Sequence, residues 1–406
     1  MKHHSFHTPD ACTACTVCVA HCPVAKASLN FRGPKMTGPA YERFRLLGLG
    51  DDSSLTYCSN CKNCDISCPS GVSPSTFNMR ALAEYSKTTL PSPRDWVLAH
   101  SGDLGKPANC LPATLLNYGM NNPLSRFLLH LAGIDRHAPL PGFAPLRLRK
   151  KLAARASSPA DVLSAKGKIA AFFPGCFIRY YEPQAGLDCI RLLEMAGYTV
   201  IIPKNFSCCG LPLVAGGFVE DALDKARINN MELSRLKKRD IPLITACPSC
   251  TLMLKQELRE LFPEEGLEDV ASHIMDACDF LASLARKGAL SLKNARPEQT
   301  RIAYHAPCHL RIQGMGRTGL DLLRMLPGLT TIDTDAGCCG ISGSYGFKRG
   351  KYEIGMAVGN ALFTAIKETN APLSASECGT CRAQMRHGGG IPAMHPISIV
   401  LQSLQG

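Results

Sequence analysis

The sequence predicts an α/β protein in which a small α-helical N-terminal domain is followed by two tandem, pseudo-symmetric α/β domains. Three observations predict this organisation: two cysteine runs within the first 70 residues, alternating strand-like and helix-like segments from residue 169 onward, and a cysteine set that recurs after about 130 residues. The 406 residues suit two to three domains. The predicted divisions are 1–90, a helical, proline-rich connecting region over 91–165, and the two repeated domains over 166–297 and 298–406.

Composition excludes a disordered chain and a secreted disulfide protein. With 45% hydrophobic and 19% charged residues, the chain can bury sizeable cores. Its 21 cysteines are an odd number, so a scheme of disulfides alone leaves one thiol unpaired. The N-terminus lacks the apolar stretch of a secretory signal, and no apolar run is long enough to span a membrane as a helix. We therefore expect a cytoplasmic protein whose clustered thiols serve metal or redox chemistry.

The net charge of +12 gives little support for a nucleic-acid partner. Lysine and arginine number 45 against 33 acidic residues, which by itself would suit nucleic acid or anionic lipid. However, the basic residues are scattered, and no basic face interleaved with aromatic side chains stands out. We expect no nucleic-acid partner.

Two copies of one cysteine run open the chain. They are Cys12-x2-Cys15-x2-Cys18-x3-Cys22-Pro23 and Cys58-x2-Cys61-x2-Cys64-x3-Cys68-Pro69. This is the spacing of bacterial two-cluster ferredoxins, in which three thiolates hold one cubane [4Fe–4S] cluster and the fourth cysteine reaches the other cluster. The spacing therefore assigns Cys12, Cys15, Cys18 and Cys68 to one cubane, and Cys58, Cys61, Cys64 and Cys22 to the other. A zinc site built from CxxC pairs is the alternative, and the doubled eight-cysteine pattern argues against it.

The N-terminal domain and the connecting region contain two predicted helices. One runs from Pro74 to Lys87. The other has Asn122 as N-cap, Pro123 as first residue and an apolar series at helical spacing, namely Leu124, Phe127, Leu128 and Leu131. A basic stretch follows, with Arg147, Arg149, Lys150, Lys151 and Arg155. Attachment to a membrane surface is one hypothesis, but these residues alone favour a helix docked on the core and a solvated linker.

From residue 166 onward the chain repeats itself. Each copy holds a single cysteine, a Cys-Cys-Gly triplet and a Cys-x2-Cys pair, and equivalent cysteines lie 130 to 132 residues apart. The cysteines are Cys176, Cys208, Cys209, Cys247 and Cys250 in the first copy, and Cys308, Cys338, Cys339, Cys378 and Cys381 in the second. Scattered core cysteines would not keep such a period, so the pattern indicates an internal duplication.

The repeated cysteines follow strand-like runs. In the first copy these runs are residues 169–173, 200–202 and 243–246, and in the second copy 301–304 and 329–332 are equivalent. Helical segments separate the runs, including 186–196, 219–238 and 318–325. The alternation predicts parallel sheets. Because the carboxyl ends of parallel strands meet at one edge of a sheet, we expect the five thiols of each copy to converge there.

Five converging thiols exceed the four that a tetrahedral zinc ion or an ordinary cubane binds. An adjacent cysteine pair cannot easily aim both sulfurs at one small ion, but it can bridge within a larger iron–sulfur assembly. The glycine of the triplet would let the backbone approach that assembly closely. The spacing therefore favours a metal cluster in each copy and leaves zinc and redox-active dithiols as alternatives.

The five-cysteine pattern resembles the CCG domain found in the B subunit of heterodisulfide reductase and in its relatives. The resemblance implies a noncubane [4Fe–4S] cluster held by all five cysteines of each copy, in addition to the two cubanes of the ferredoxin-type domain. The fusion of such a domain with two CCG domains is shared by iron–sulfur subunits of glycolate and lactate oxidases and by the catalytic subunit of membrane-bound heterodisulfide reductase. The functions of these subunits are the alternatives to the function that the next resemblance implies.

Outside the cysteines, the chain is most similar to the family of C subunits of anaerobic glycerol-3-phosphate dehydrogenases. The residues that carry the similarity include Gly33-Pro34-Lys35, Glu42-Arg43, Asp95, Tyr304-His305 and His395-Pro396-Ile397. The resemblance implies an electron-transfer subunit whose separate flavin-containing partner oxidises sn-glycerol 3-phosphate to dihydroxyacetone phosphate. This chain would pass the electrons to menaquinone and anchor the complex as a peripheral protein on the cytoplasmic side of the inner membrane.

Three cysteines and three histidines lie outside this scheme. Cys110, Cys189 and Cys278 are expected to be buried structural thiols. His305, His309 and His395 are candidates for proton delivery during quinone reduction, because imidazole titrates near neutral pH. A structural role is the more common one for such loop histidines.

Overall fold

The computed structural model describes residues 8–50, 52–89 and 92–405. Residues 1–7, on which the expectation of no secretory signal depends, lie outside the described residues. So do positions 51, 90, 91 and 406, and with them the predicted boundary between residues 90 and 91. Within the described ranges, none of the helices combines the length and the apolar character needed to cross a membrane.

Helices dominate the described chain. In chain order the α-helices are α1 (Val17–Ala20), α2 (Pro23–Ala27), α3 (Tyr41–Leu46), α4 (Asn63–Ile66), α5 (Pro74–Thr88), α6 (Pro93–Ala99), α7 (Ser101–Ala108), α8 (Ala113–Asn121), α9 (Pro123–Leu131), α10 (Leu146–Ala153), α11 (Pro159–Ser164), α12 (Gly175–Tyr180), α13 (Pro183–Met195), α14 (Leu211–Gly216), α15 (Val219–Lys238), α16 (Pro248–Leu252), α17 (Leu258–Leu261), α18 (Ala277–Arg286), α19 (Cys308–Arg311), α20 (Thr318–Arg324), α21 (Tyr352–Glu368), α22 (Gly379–Gln384) and α23 (Pro396–Gln405). The strands are β1 (Ala156–Ser157), β2 (Ile169–Phe173), β3 (Thr199–Pro203), β4 (Leu243–Thr245), β5 (Ile274–Asp276), β6 (Arg301–Tyr304), β7 (Thr330–Asp333), β8 (Leu373–Ala375) and β9 (Ala393–Met394).

The strands form two parallel sheets that share the same topology over four strands. The first sheet has the order β1-β3-β2-β4-β5, and the second has the order β7-β6-β8-β9. Ala171 of the central strand β2 pairs with Ile201 on one side and Leu243 on the other. Strands β2 to β5 correspond to β6 to β9, which confirms the predicted α/β class, the parallel sheets and the duplication. In each sheet the chain crosses from one side of the central strand to the other, which creates a switch point at the carboxyl ends of the strands.

The sheets contain strands that the sequence analysis did not predict. Strands β5 and β9 extend the two sheets at equivalent edges. Strand β1 pairs with β3, with Ala156 opposite Ile202, so the first sheet begins ten residues before the predicted boundary at residue 166. These strands have two or three residues each, which is too short for an alternating apolar pattern to be visible.

The two sheet domains share one hydrophobic core. Helix α13 packs against α23, and α18 packs against α20. Helices α13 and α20 follow the central strand of their own copy, and α18 and α23 follow the edge strand, so the two contacts are equivalent under a pseudo-two-fold axis. Leu192 of α13, Leu281 of α18, Leu322 of α20 and Val400 of α23 are fully buried in this core.

The connecting region folds into helices, and the apolar face of α9 is exposed, contrary to expectation. Helix α9 begins at Pro123 as predicted, and Asn122 Oδ1 accepts a hydrogen bond from the Ser125 backbone N–H at 2.9 Å. However, Leu124, Phe127, Leu128 and Leu131 are each more than half exposed, so the expectation of a helix docked on the core by this face is wrong.

Arg149 was expected in a solvated linker and is instead fully buried. Its guanidinium donates hydrogen bonds to the carbonyl oxygens of Ala144 at 2.9 Å and Ala108 at 2.7 Å, and also to that of Leu111. Three carbonyl acceptors offset the cost of burying the charge. Arg149 therefore ties α10 to the end of α7 and the turn before α8.

The N-terminal domain docks on both repeated domains. Helix α2 packs against α21 of the second copy, where Val24 and Phe31 are buried with Tyr345 and Ile354. Against the first copy, the ammonium group of Lys62 forms an ion pair with Glu257, and both side chains are almost completely buried. Burial by itself would lower the pKa of Lys62, but the carboxylates of Glu257, Asp65 and Glu260 together outweigh burial and raise that pKa.

Candidate metal centres

The two N-terminal cysteine runs fold so that their fourth cysteines exchange places. Cys18 lies near Cys12, Cys68 and Cys15, and burial followed by these neighbouring thiols raises the pKa of Cys18. These four cysteines also line one cavity. Cys68, from the second run, is thus placed with the first three cysteines of the first run, which is the arrangement that a crossed ligand set requires.

The second set, which consists of Cys22, Cys58, Cys61 and Cys64, is more deeply buried than the first. Burial raises the pKa of Cys22 to about 11. Among the cysteines, Cys58 contributes most to this rise. Cys61 lies near Cys22 and Cys58, and Cys64 lies near Cys61 and Cys58. Two N–H groups point at these sulfurs: the backbone of Ala25 donates to Cys22 Sγ at 3.4 Å and the amide of Asn78 donates to Cys58 Sγ at 3.6 Å.

The sulfurs converge because both runs wind through the left-handed region at equivalent positions. Ala14 and Thr16 have φ of 58° and 64°, and their counterparts Asn60 and Lys62 have φ of 52° and 65°. Such values are uncommon for residues other than glycine and persist where the surroundings enforce them. Each three-cysteine loop therefore curls around a point instead of extending as a strand or helix.

In each repeated domain, the five cysteines meet at the carboxyl edge of the sheet, as the sequence predicted. Their thiols form the same series of contacts in both copies. The series are Cys176–Cys208–Cys209–Cys250–Cys247 and Cys308–Cys338–Cys339–Cys381–Cys378. In the second copy, the sulfurs of Cys339 and Cys381 are 3.1 Å apart. The internal duplication therefore extends to the geometry of the site.

The two copies also share their electrostatics. Hydrogen bonds donated by Cys176 and Cys209 hold the pKa of Cys208 well below its usual range, and Cys308 and Cys339 do the same for Cys338. Hydrogen bonding from Cys381 lowers the pKa of Cys378 to about 5. The thiolate is the form of cysteine that binds metal. Equivalent positions in the two copies are thus prepared to act as ligands.

The surroundings of the first copy fit a bulky inorganic group held by sulfur. A Cβ added to Gly102 would lie 3.3 Å from Cys208 Sγ, and one added to Gly175 would lie 3.0 Å from Cys250 Sγ. The glycines therefore keep space directly beside the sulfurs. The donor set consists of thiols, which suit iron–sulfur clusters, and five of them exceed what one zinc ion binds.

The second copy adds a histidine to its five thiols. A ring nitrogen of His305 lies within 4.8 Å of the sulfurs of Cys339 and Cys381, which lie within the same distance of each other. Burial lowers the pKa of His305 to about 4 and that of His395 to about 3. His395 Nε2 is 2.9 Å from the carbonyl oxygen of Ala246. Both imidazoles are therefore neutral at physiological pH.

His309 joins the three domains at one point. Its Nδ1 is 2.9 Å from Ser249 Oγ in the first copy, and its Nε2 is 2.9 Å from the backbone oxygen of Asn60 in the N-terminal domain. His309 itself follows Cys308 of the second copy. The sequence showed a histidine beside a cysteine but carried no signal for these partners, which come from residues far apart in the chain.

The four cysteine sets form a row. Burial is the largest influence that raises the pKa of Cys61, and the nearby Cys338 is the next. Cys61 in turn contributes to the raised pKa of Cys308. The second N-terminal set therefore lies next to the second copy. The charge of Cys378 likewise tends to raise the pKa of Cys247, which places the second copy next to the first. Cys18 also contributes to the raised pKa of Cys22, so the two N-terminal sets are adjacent as well. The order is the Cys12 set, the Cys58 set, the second copy and the first copy.

Of the three remaining cysteines, two lie where expected. Cys189 and Cys278 are buried in the shared core, which confirms their predicted structural role as small apolar side chains. Cys110 is exposed, so the prediction of burial is wrong there. It lies in the turn between α7 and α8.

Comparison with known proteins agrees with this organisation. A 4Fe-4S dicluster domain matches residues 9–72, and a cysteine-rich CCG domain matches residues 170–255 and again 302–386. These matches identify an iron–sulfur protein and confirm the predicted order of a ferredoxin-type domain followed by two CCG domains.

Several curated relatives extend over most of the chain. The C subunit of the anaerobic glycerol-3-phosphate dehydrogenase of Escherichia coli (strain K12) is 36% identical over 399 residues, which cover 97% of this chain and 98% of that protein. The B subunit of the fumarate reductase (CoM/CoB) of Methanothermobacter marburgensis is 25% identical over 92% of this chain and 67% of its own length. The glycolate oxidase iron-sulfur subunit of Escherichia coli (strain K12) is 23% identical over 97% and 94%. With more than a third of its residues shared from end to end, the chain belongs to the family of the anaerobic glycerol-3-phosphate dehydrogenase C subunits.

Proposed function

We propose that this chain is the iron–sulfur electron-transfer subunit of an anaerobic sn-glycerol-3-phosphate dehydrogenase. A flavin-containing partner subunit oxidises sn-glycerol 3-phosphate to dihydroxyacetone phosphate, which releases two electrons and two protons. Menaquinone takes up two electrons and two protons and becomes menaquinol. The observation that carries the proposal is the row of four cysteine sets, because adjacent sets link the N-terminal domain through the second repeated domain to the first.

The proposed ligands are the eighteen cysteines of the four sets. Cys12, Cys15, Cys18 and Cys68 hold one cubane [4Fe–4S] cluster, and Cys58, Cys61, Cys64 and Cys22 hold the other. The five cysteines of each repeated domain hold a noncubane [4Fe–4S] cluster. Bound clusters supply one-electron redox chemistry whose potential depends on ligands, charge and hydrogen bonds to the sulfurs. This chain contributes the thiolates and N–H donors such as those of Ala25 and Asn78.

The substrate of the partner is the first point to test. The chain should be coexpressed with the flavin subunit of a glycerol-3-phosphate dehydrogenase and purified without oxygen. We expect copurification and glycerol 3-phosphate-dependent reduction of menadione, which is lost when this chain is omitted. Reduction with lactate or glycolate instead would assign the chain to an oxidase of those acids. Reduction of a heterodisulfide by the isolated chain with an artificial donor would assign it a catalytic role of its own.

The membrane face of the complex is proposed to be the α8–α9 face, defined by the exposed side chains of Leu115, Tyr118, Leu124, Phe127, Leu128 and Leu131. Between residues 104 and 160 the chain carries eight lysines and arginines and one acidic residue, Asp135. Arg147, Lys150 and Lys151 are exposed. An apolar helix face with basic surroundings binds the surface of a bilayer that contains anionic lipid. The cytoplasmic side of the inner membrane presents such a surface.

Substitution on this face tests the membrane proposal. The Phe127→Ser/Leu128→Ser variant should bind vesicles of phosphatidylethanolamine and phosphatidylglycerol about a hundredfold more weakly than the unmodified chain, because two large apolar side chains no longer enter the lipid. Cosedimentation measures the change. The matched control is Leu46→Ser/Leu47→Ser, which removes two more strongly exposed leucines from α3 and its end. Equal loss of binding in both variants would contradict the assignment of the α8–α9 face.

A further inference from the structure

The two five-cysteine sets differ in what lies against them. In the second copy, the loop of Asn60 and Cys61 packs on Cys308 and Cys338, and His309 contacts the Asn60 carbonyl. In the first copy, the equivalent Cys176 and Cys208 line a cavity of about 310 Å³. Exposed side chains, including Ile228, border this cavity, so it is open to the surface. The position that the N-terminal domain covers in one copy is accessible in the other.

Aromatic rings form part of the cavity wall. Phe173 and Phe206 are almost completely buried, and their rings meet edge to face with centroids 5.2 Å apart. Tyr180 adds a phenol that interacts with Arg179. The volume lies at the lower end of the range of small-molecule sites, and the rings make part of the wall apolar.

Hydrogen-bond donors complete the lining. Four cationic side chains face the cavity, those of Lys106, Arg179, Lys204 and Lys225, against one carboxylate, that of Asp103. Lys106 and Lys225 both pair with Asp103, at 2.7 Å and 3.1 Å. The adjacent thiolates of Cys176 and Cys208 would bring negative charge that these cations offset when the site holds metal.

The cavity and the α8–α9 face belong to one framework. Asp103 and Lys106 lie on α7, which precedes α8. Asn117 of α8 donates to the carbonyl oxygen of Phe143 at 2.9 Å, and the next residue, Ala144, donates its N–H to the carbonyl oxygen of Tyr180 at 3.0 Å. These hydrogen bonds tie α8 and residues 143–144 to Tyr180 of the cavity wall, so the wall and the α8–α9 face belong to one packed region.

We propose that this cavity binds the ring of a quinone. The inference rests on the proposed function and adds the location of the quinone site. Quinone carbonyl oxygens accept hydrogen bonds from lysine, arginine and tyrosine donors of the kind found here. Uptake of two electrons and two protons passes through forms with negative charge on these oxygens, and cations beside them stabilise such charge. A simple anion would not require an aromatic part of the wall.

Blocking the cavity tests the proposal. The probe is 2-heptyl-4-hydroxyquinoline N-oxide, a fluorescent quinone analogue whose emission is quenched on binding. In the anaerobically purified full chain, Ile228→Trp should fill the cavity and weaken probe binding at least about tenfold. The matched control is Met231→Trp, one turn further along α15 at an exposed position that does not line the cavity, and it should bind as the unmodified chain does. Iron content should be equal in all three proteins.

The outcomes separate this inference from the proposed function. Unchanged probe affinity in Ile228→Trp, in a complex that still reduces menadione with glycerol 3-phosphate, overturns the inference and leaves the proposed function intact. Absence of quenching by the unmodified chain also overturns it, whatever the dehydrogenase assay shows. Displacement of the probe by inorganic phosphate, with no displacement by menadione, would mark the cavity as an anion site and equally overturn it.

Discussion

The Cys15→Ala/Cys22→Ala variant is expected to lose about eight of the roughly 16 irons that four clusters of four contain. The reason is the exchange of fourth cysteines between the two runs. Cys15 lies with Cys12, Cys18 and Cys68, whereas Cys22 lies with the second run, beside Cys58 and Cys61. Two substitutions within the first run thus damage two different cubanes.

The matched control is Cys15→Ala/Cys68→Ala. Its two substitutions fall in different runs but in the same ligand set, so only about four irons should be lost. Iron and acid-labile sulfide are measured on anaerobically purified protein, and the spin count of the reduced protein gives an independent number of clusters. If the first variant keeps about twelve irons and the control about eight, each run holds its own cluster and the exchange is refuted.

The Lys62→Met variant is expected to lower the free energy of unfolding by about 3–5 kcal/mol, since it leaves a buried carboxylate without its partner. Lys62 and Glu257 are 3% and 1% exposed, so water cannot replace the missing ammonium group. Urea unfolding followed by fluorescence of the single tryptophan and by circular dichroism measures the change. We expect the N-terminal domain to detach first, because this pair links it to the first copy.

Two further variants make this prediction specific. Lys87→Met removes one partner of the exposed pair with Glu84, and it should change stability by no more than about 1 kcal/mol. Lys62→Met/Glu257→Met replaces both buried charges with apolar groups, which should recover most of the loss. Equal unfolding midpoints for Lys62→Met and Lys87→Met would show that the buried pair contributes nothing.

Much of the fold was accessible from the sequence because cysteine spacing and apolar periodicity are local signals. Helix α15 was predicted with both ends correct, and β2 and β6 were predicted with their observed bounds. The convergence of each five-cysteine set followed from the rule that parallel strands end at one edge. The duplication was visible because equivalent cysteines keep their spacing through 130 residues.

Other features depend on residues that are distant in the chain and left no local pattern. The partners of His309 lie 60 and 249 positions away. Nothing in the sequence near Lys62 indicates that Glu257 covers it. For α9 the periodicity predicted the helix and its apolar face, but not whether that face is covered. A helical period states which side chains share a face, and only tertiary packing decides what lies against it.

The swapped helix contacts between the repeated domains have a consequence during synthesis. Helix α13 of the first copy ends at Met195 and packs against α23, which begins only at Pro396. The first copy therefore keeps an apolar flank uncovered until residues 396–405 have left the ribosome. A nascent chain in which the five cysteines of the first copy are already translated still lacks the closed core that would hold those cysteines in place. We therefore expect any cluster in that copy to be inserted after translation, and we expect arrested or shortened translation products to be substrates for chaperones and proteases.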